Sequence, residues 1–144
     1  MNMSSILAIL LLVNTVYALP SAGQETGVTR PISMATFKQD SDVKCLRYAI
    51  EFGNPDAGPS THLLEFPKGC AYPWHYHSAV EQLMVVRGTV SVQMEKNAAV
   101  VLRAGGYAIM PSKEPHRFSC VSEAKCRAFV QFDRAYDIFW IKRE

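Results

Sequence analysis

The chain has 144 residues, 49% of them hydrophobic, and 15 Lys and Arg against 13 Asp and Glu leave a net charge of +2. The basic residues are scattered, only Lys142 and Arg143 being adjacent, which excludes the phosphate-tracking stripe of a nucleic-acid binder and the polybasic patch of a membrane-surface protein. No segment approaches the roughly 20 apolar residues of a bilayer-spanning helix, so neither nucleic acid nor a membrane is expected as a partner.

The opening residues MNMSSILAILLLVNTVYA hold an apolar run from Ile6 to Val13 and no charged side chain, with Val16 and Ala18 at a peptidase-like boundary before Leu19 and Pro20. This reads as a secretory signal peptide over residues 1–18, with a buried N-terminal helix as the alternative. The mature protein is then expected to be exported. Residues 19–40 are polar and carry Pro20, Gly23, Gly27 and Pro31, the composition of an extended or poorly ordered arm. Residues 41–144 fit one domain with one core.

From Leu46 onward, short apolar stretches alternate with turn residues: Leu46 to Phe52, Thr61 to Phe66, Gln82 to Val86, Thr89 to Met94 and Ala99 to Leu102. The series continues with Tyr107 to Met110, His116 to Val121, Arg127 to Phe132 and Ile138 to Ile141. All are too short for helices, and the turns between them, such as Pro67-Lys68-Gly69 and Gly105-Gly106, predict an all-β sandwich or barrel. Glu65, Lys68, Arg87 and Lys113 are expected to be solvated.

Four cysteines, Cys45, Cys70, Cys120 and Cys126, lie beyond the leader, and an even count in an exported chain favours disulfides. Three pairings are available. Cys120 with Cys126 has a local rationale, since a hairpin between them would bring the two together. Cys45 would then face Cys70, unless one of them stays free.

The chain has only 4 histidines, His62, His75, His77 and His116, and two of them alternate just ahead of Glu81. On a regular strand running through this segment, His75, His77, Glu81, Leu83 and Val85 share one face. Imidazole nitrogens with one carboxylate suit a borderline divalent metal, and His116 from another strand would complete the set. His62 shares parity with Leu64 and Phe66, which turns it inward as a pocket contact, although a strand-surface histidine is the commoner case.

In the segment GCAYPWHYHSAVEQLMVVRG, the positions Gly69, His75, His77, Glu81 and Gly88 follow one another at fixed spacing. A later segment, GGYAIMPSKEPHRFSC, sets Gly105, Pro111 and His116. Together they resemble the two signature motifs of the cupin superfamily, from Thr61 to about Ile141, with Lys113 and Cys120 standing where the family usually has glycine and asparagine. The resemblance implies a single-domain β-barrel of the double-stranded β-helix or jelly-roll type. It also implies one divalent ion, Fe, Mn, Ni, Cu or Zn, held by His75, His77, Glu81 and His116. A cavity lined by His62, Leu83, Val85, Ile109, Phe118, Val130 and Phe132 would receive a small-molecule ligand or substrate. The activities implied are a dioxygenase-type oxidoreductase first, then a non-catalytic binding protein for a carboxylate, sugar or phenol, then an isomerase or lyase. Cupins often pair through their sheets, so a homodimer is a further expectation. No general base stands out beside the four ligands, and Tyr72, Tyr76 and Glu114 read as structural.

Overall fold

Alternation of apolar and polar side chains sets the architecture, and in the computed structural model it yields strands throughout the described residues, 27–142. The proposed signal peptide and residues 19–26 of the arm lie outside that range. A 3-10 turn at Ile32–Met34 precedes β1 (Lys38–Gln39), β2 (Arg47–Gly53), β3 (Ser60–Phe66), β4 (Ala71–Tyr76), β5 (Glu81–Arg87) and β6 (Thr89–Met94). Then follow β7 (Val100–Arg103), β8 (Tyr107–Met110), β9 (His116–Cys120), β10 (Cys126–Phe132) and β11 (Phe139–Trp140).

Two antiparallel sheets result, with strand orders β1-β2-β3-β10-β5-β8 and β11-β4-β9-β6-β7. From β3 to β11 each connection changes sheet, except the β6–β7 hairpin, so the chain winds between two facing walls as the jelly roll requires. Gly88 alone carries the chain from β5 to β6. Its φ of 80° and the approach of Cys126 Cα, which a Cβ would meet at 3.0 Å, leave room for glycine only.

Inward residues of both walls form the core. Phe66, Leu83, Val90, Met110, Phe118, Cys126 and Val130 are buried there, each large aliphatic or aromatic side chain contributing about 1.5–3 kcal/mol of transfer free energy. Disulfides Cys45–Cys70 and Cys120–Cys126 close the cysteine set.

Three expectations are corrected by the packing. Residues 75–85 do not form one regular strand: β4 ends at Tyr76 in one sheet and β5 begins at Glu81 in the other. β4 itself was not among the expected strands, because Pro73 breaks its pattern. The ladder to β9 accommodates the proline by a register shift between Tyr72 and His75. Glu65 is not solvated but 4% exposed, its carboxylate held by Arg47 at 2.9 Å, Arg127 at 2.8 Å and Lys125 at 3.2 Å. Three cations on one carboxylate satisfy it without water. Within the arm, Lys38 and Gln39 pair with Tyr48 and Arg47 of β2, and Gln39 Nε2 donates to the carbonyls of Lys44 and Leu46.

Candidate metal centre

His75 is the last residue but one of β4, His77 follows the strand in the connection to the opposite wall, Glu81 opens β5 and His116 opens β9. Registry joins them: His75 lies opposite His116 across the β4–β9 ladder, and Glu81 lies opposite Phe132 and Met110. All four are buried, at 0, 3, 2 and 1% exposure in chain order. One ligand atom from each lies within 4.8 Å of the other three.

Backbone carbonyls fix how the imidazoles point. Nδ1–H of His75 donates to Pro73 O at 2.7 Å, that of His116 to Glu114 O at 2.8 Å, and that of His77 to Asp137 O. A carbonyl oxygen only accepts, so each Nδ1 carries a proton and each Nε2 is the nitrogen turned toward the centre. The loop holding His77 is braced from several sides. Its carbonyl accepts Lys113 N–H at 2.7 Å, Ser78 N–H donates to Asp137 Oδ1 at 2.8 Å, Ser78 Oγ–H donates to Asp137 Oδ2, and Val80 N–H donates to Asp133 Oδ1 at 2.9 Å.

The donor set fits a divalent ion. His75 Nε2 is wholly buried with no hydrogen-bond partner among the described residues, and burial, helped by the neighbouring His116, pushes its pKa down to about 3. It is therefore a neutral lone-pair donor at physiological pH. His77 and His116 Nε2 stand 3.2 and 3.1 Å from Glu81 Oε2, an arrangement that needs a positive charge, proton or metal, between lone pairs and carboxylate. Burial alone would raise Glu81, but the hydrogen bonds from His116 and His77 outweigh it and hold the carboxylate well below its ordinary range. For His77, burial is outweighed in the other direction by Glu81, and its pKa rises. Donors around an ion at roughly 2.0–2.2 Å stand up to ~4.4 Å apart, close to the spacing seen.

A cavity of about 400 Å³ opens onto this cluster and reaches His75, His77 and Glu81. Of the lining expected from the sequence, His62, Phe118, Val130 and Phe132 face it. Leu83 and Val85 do not: they are buried in the packed core, at 0 and 3% exposure. Ile109 is 51% exposed, because it lies opposite Gln82 on the outer face of its sheet. His62 is not a strand-surface histidine but 7% exposed, with Ser60 Oγ at 3.0 Å from Nε2 and Phe132 at 5.3 Å between ring centroids. Burial, only partly countered by Glu81, lowers its pKa.

Sequence reasoning missed Tyr136, whose ring lies 5.3 Å from His77 and 5.0 Å from Phe132. It sits in an irregular segment where no periodicity marks it. Tyr72, read as structural, also lines the cavity and packs 4.8 Å from His75. Burial raises both phenols, so both remain hydrogen-bond donors at neutral pH.

Residues 62–132 match the family model described as a cupin domain. No curated protein sequence matches the chain. Among solved structures it is similar to the DMSP lyase DddQ from Ruegeria pomeroyi DSS-3, with 18% identity, a TM-score of 0.64 and 75% of this chain covered. This chain spans 61% of the length of that protein. It is also similar to the polyketide cyclase RemF from Streptomyces resistomycificus (15% identity, TM-score 0.70, covering 83% of this chain and 88% of that one). An RmlC-like cupin from Shewanella frigidimarina NCIMB 400 gives 19% identity and a TM-score of 0.64, covering 76% of this chain and 93% of that one. At such identities the likeness carries the fold. With the family match across β3 to β10, the two facing sheets and the buried His, His, Glu and His of its motifs, this chain belongs to the cupin superfamily.

Proposed function

We propose that this cupin is a mononuclear metal-dependent enzyme acting on a small organic molecule. One observation carries the reading: His75 Nε2, fully buried and without a partner, aims at the point where His77 Nε2, His116 Nε2 and Glu81 Oε2 converge. A divalent ion there supplies a Lewis acid with coordination positions left for substrate. The protein's own residues hold the imidazoles by their Nδ1–H bonds and offer Tyr72, Tyr136 and His62 around a cavity of small-molecule size.

Oxygen-dependent chemistry of the dioxygenase type is one use of such a centre. A lyase or isomerase is the second reading, supported by Tyr72, Tyr136 and His62, which place protic groups near the cluster without ligating it. The two disulfides suit an oxidising compartment and support export.

Elemental analysis of protein purified without added metal tests the centre, with one ion per chain expected and His75→Ala expected to lose it. Stoichiometric metal in that variant would defeat the assignment. Oxygen uptake by the metal-loaded protein across a panel of small organic acids and phenols separates the two chemistries: turnover under strict anoxia excludes the dioxygenase.

A further inference from the structure

The cavity's charge is distributed unevenly. Asp40, Asp42 and Asp56 line it together with Glu81, against a single cation, Lys38. Among the described residues none of these four carboxylates has a Lys or Arg ion-pair partner, although the whole chain is net positive. A divalent ion neutralises Glu81 and leaves one positive charge in excess, so the Asp trio remains the dominant field over the rest of the cavity.

Two of these aspartates are fixed close to the cluster. Tyr72 packs 4.8 Å from the His75 ring and its hydroxyl donates to Asp40 Oδ2 at 3.3 Å. Trp140 packs 5.5 Å from the same ring and its Nε1–H donates to Asp42 Oδ2 at 3.3 Å. Each carboxylate therefore stands one aromatic ring away from a metal ligand, satisfied by a neutral donor that leaves its charge intact. The same cavity is lined by the aromatic side chains Tyr48, Tyr72, Phe132 and Tyr136. Carboxylates behind aromatic rings make a receptor for an organic cation, by Coulomb attraction and by cation–π contact. The buried His75 Nε2 that carries the metal reading lines the same cavity, so the ion and the aspartates face one space.

We infer that the cavity selects a small zwitterion or organic cation, its oxygen donor directed to the metal centre and its quaternary or protonated cationic group lodged among Asp40, Asp42 and the tyrosines. This rests on the metal reading above. It disfavours dianionic substrates, for which only Lys38 and the single excess charge of the ion stand against three aspartates.

The test compares two hydroxamic acids on the full-length, zinc-loaded protein: that of glycine betaine, and its neopentyl isostere in which carbon replaces the quaternary nitrogen. Both share the same chelating head, so the difference in affinity, read by calorimetry, reports the wall. The quaternary ammonium probe should bind at least about tenfold more tightly, and the preference should shrink as ionic strength rises past about 0.15 M. Asp40→Asn with Asp42→Asn removes both charges while keeping one acceptor oxygen on each side chain, enough for Asp40's bonds from the Asp42 and Val43 N–H groups, and should bring the ratio to within about twofold. Equal or reversed affinities, a preference untouched by the double variant, or a zinc-loaded protein that binds neither probe would each overturn the inference. Failure to take up zinc is seen before any probe is added; it defeats the metal reading and this inference with it.

Discussion

Lys113 adopts φ 63° in the turn between β8 and β9, the left-handed region that favours glycine, while its N–H donates to the carbonyl of His77. The turn braces the loop that carries His77, and lysine holds it at a conformational disadvantage. Lys113→Gly should therefore stabilise the fold, by about 0.5 kcal/mol once the added freedom of the unfolded chain is subtracted. Urea denaturation at constant m-value measures it. Glu65 behaves oppositely. Its burial would raise its pKa, but Arg127, Lys125 and Arg47 prevail and bring it down to about 2. A depressed folded pKa adds stability above the unfolded value of about 4.5 that is lost as pH falls through about 2. Arg47 and Lys125 are half exposed, so screening reduces the effect to about 1–2 kcal/mol. Glu65→Gln should be destabilised by that amount at neutral pH, with the gap to wild type closing between pH 4.5 and 2. A gap that persists unchanged at pH 2 would show that shape rather than charge matters there.

At the scale of elements, the centre depends on sheet switches rather than on any one strand. His75 leaves from one wall, Glu81 returns on the other, and the connection between them is pinned by Asp133 and Asp137 from the segment after β10. The two disulfides secure different switches. Cys120–Cys126 ties the ends of β9 and β10 across a sequence separation of 6, whereas Cys45–Cys70 ties the segment before β2 to the start of β4 across 25. Loop-closure entropy makes the longer link the stronger constraint: about 3–4 kcal/mol for Cys45–Cys70 and about 2 for Cys120–Cys126. Paired Cys→Ser variants, compared by thermal unfolding, should show that ranking. Non-reducing peptide maps should recover both links.

For the whole molecule, core and centre are supplied by different residues, which separates folding from metal binding. His77→Ala should keep its β-rich circular dichroism yet lose the ion. The stability lost is the linkage contribution, about 2.7 kcal/mol when free metal stands a hundredfold above Kd, or a fall in Tm on the order of ten degrees. Chelator should impose the same fall on the wild type and none on the variant. A wild-type Tm indifferent to chelator would contradict a bound ion in the native state.

Alternation and turn chemistry made most strands legible in the sequence, since burying one side of a pleated strand imposes a period of two that survives in any context. The spacing of His75, His77, Glu81 and His116 was equally legible, because Gly69 and Gly88 bracket the first three and Pro115 precedes the fourth, marking where the chain turns. Tertiary structure alone decided the rest. Pro73 hid β4, because only the register shift against β9 accommodates it. Glu65 reads as a surface charge until Arg47 arrives from β2 and Lys125 and Arg127 from the entry to β10, and Ile109 reads as interior until its place opposite Gln82 on an outward face is known. Tyr136, Asp40 and Asp42 carry no periodic mark at all. They reach the cavity because the segment between β10 and β11 and the one before β2 line it, and long-range contacts of that kind leave no trace in local sequence.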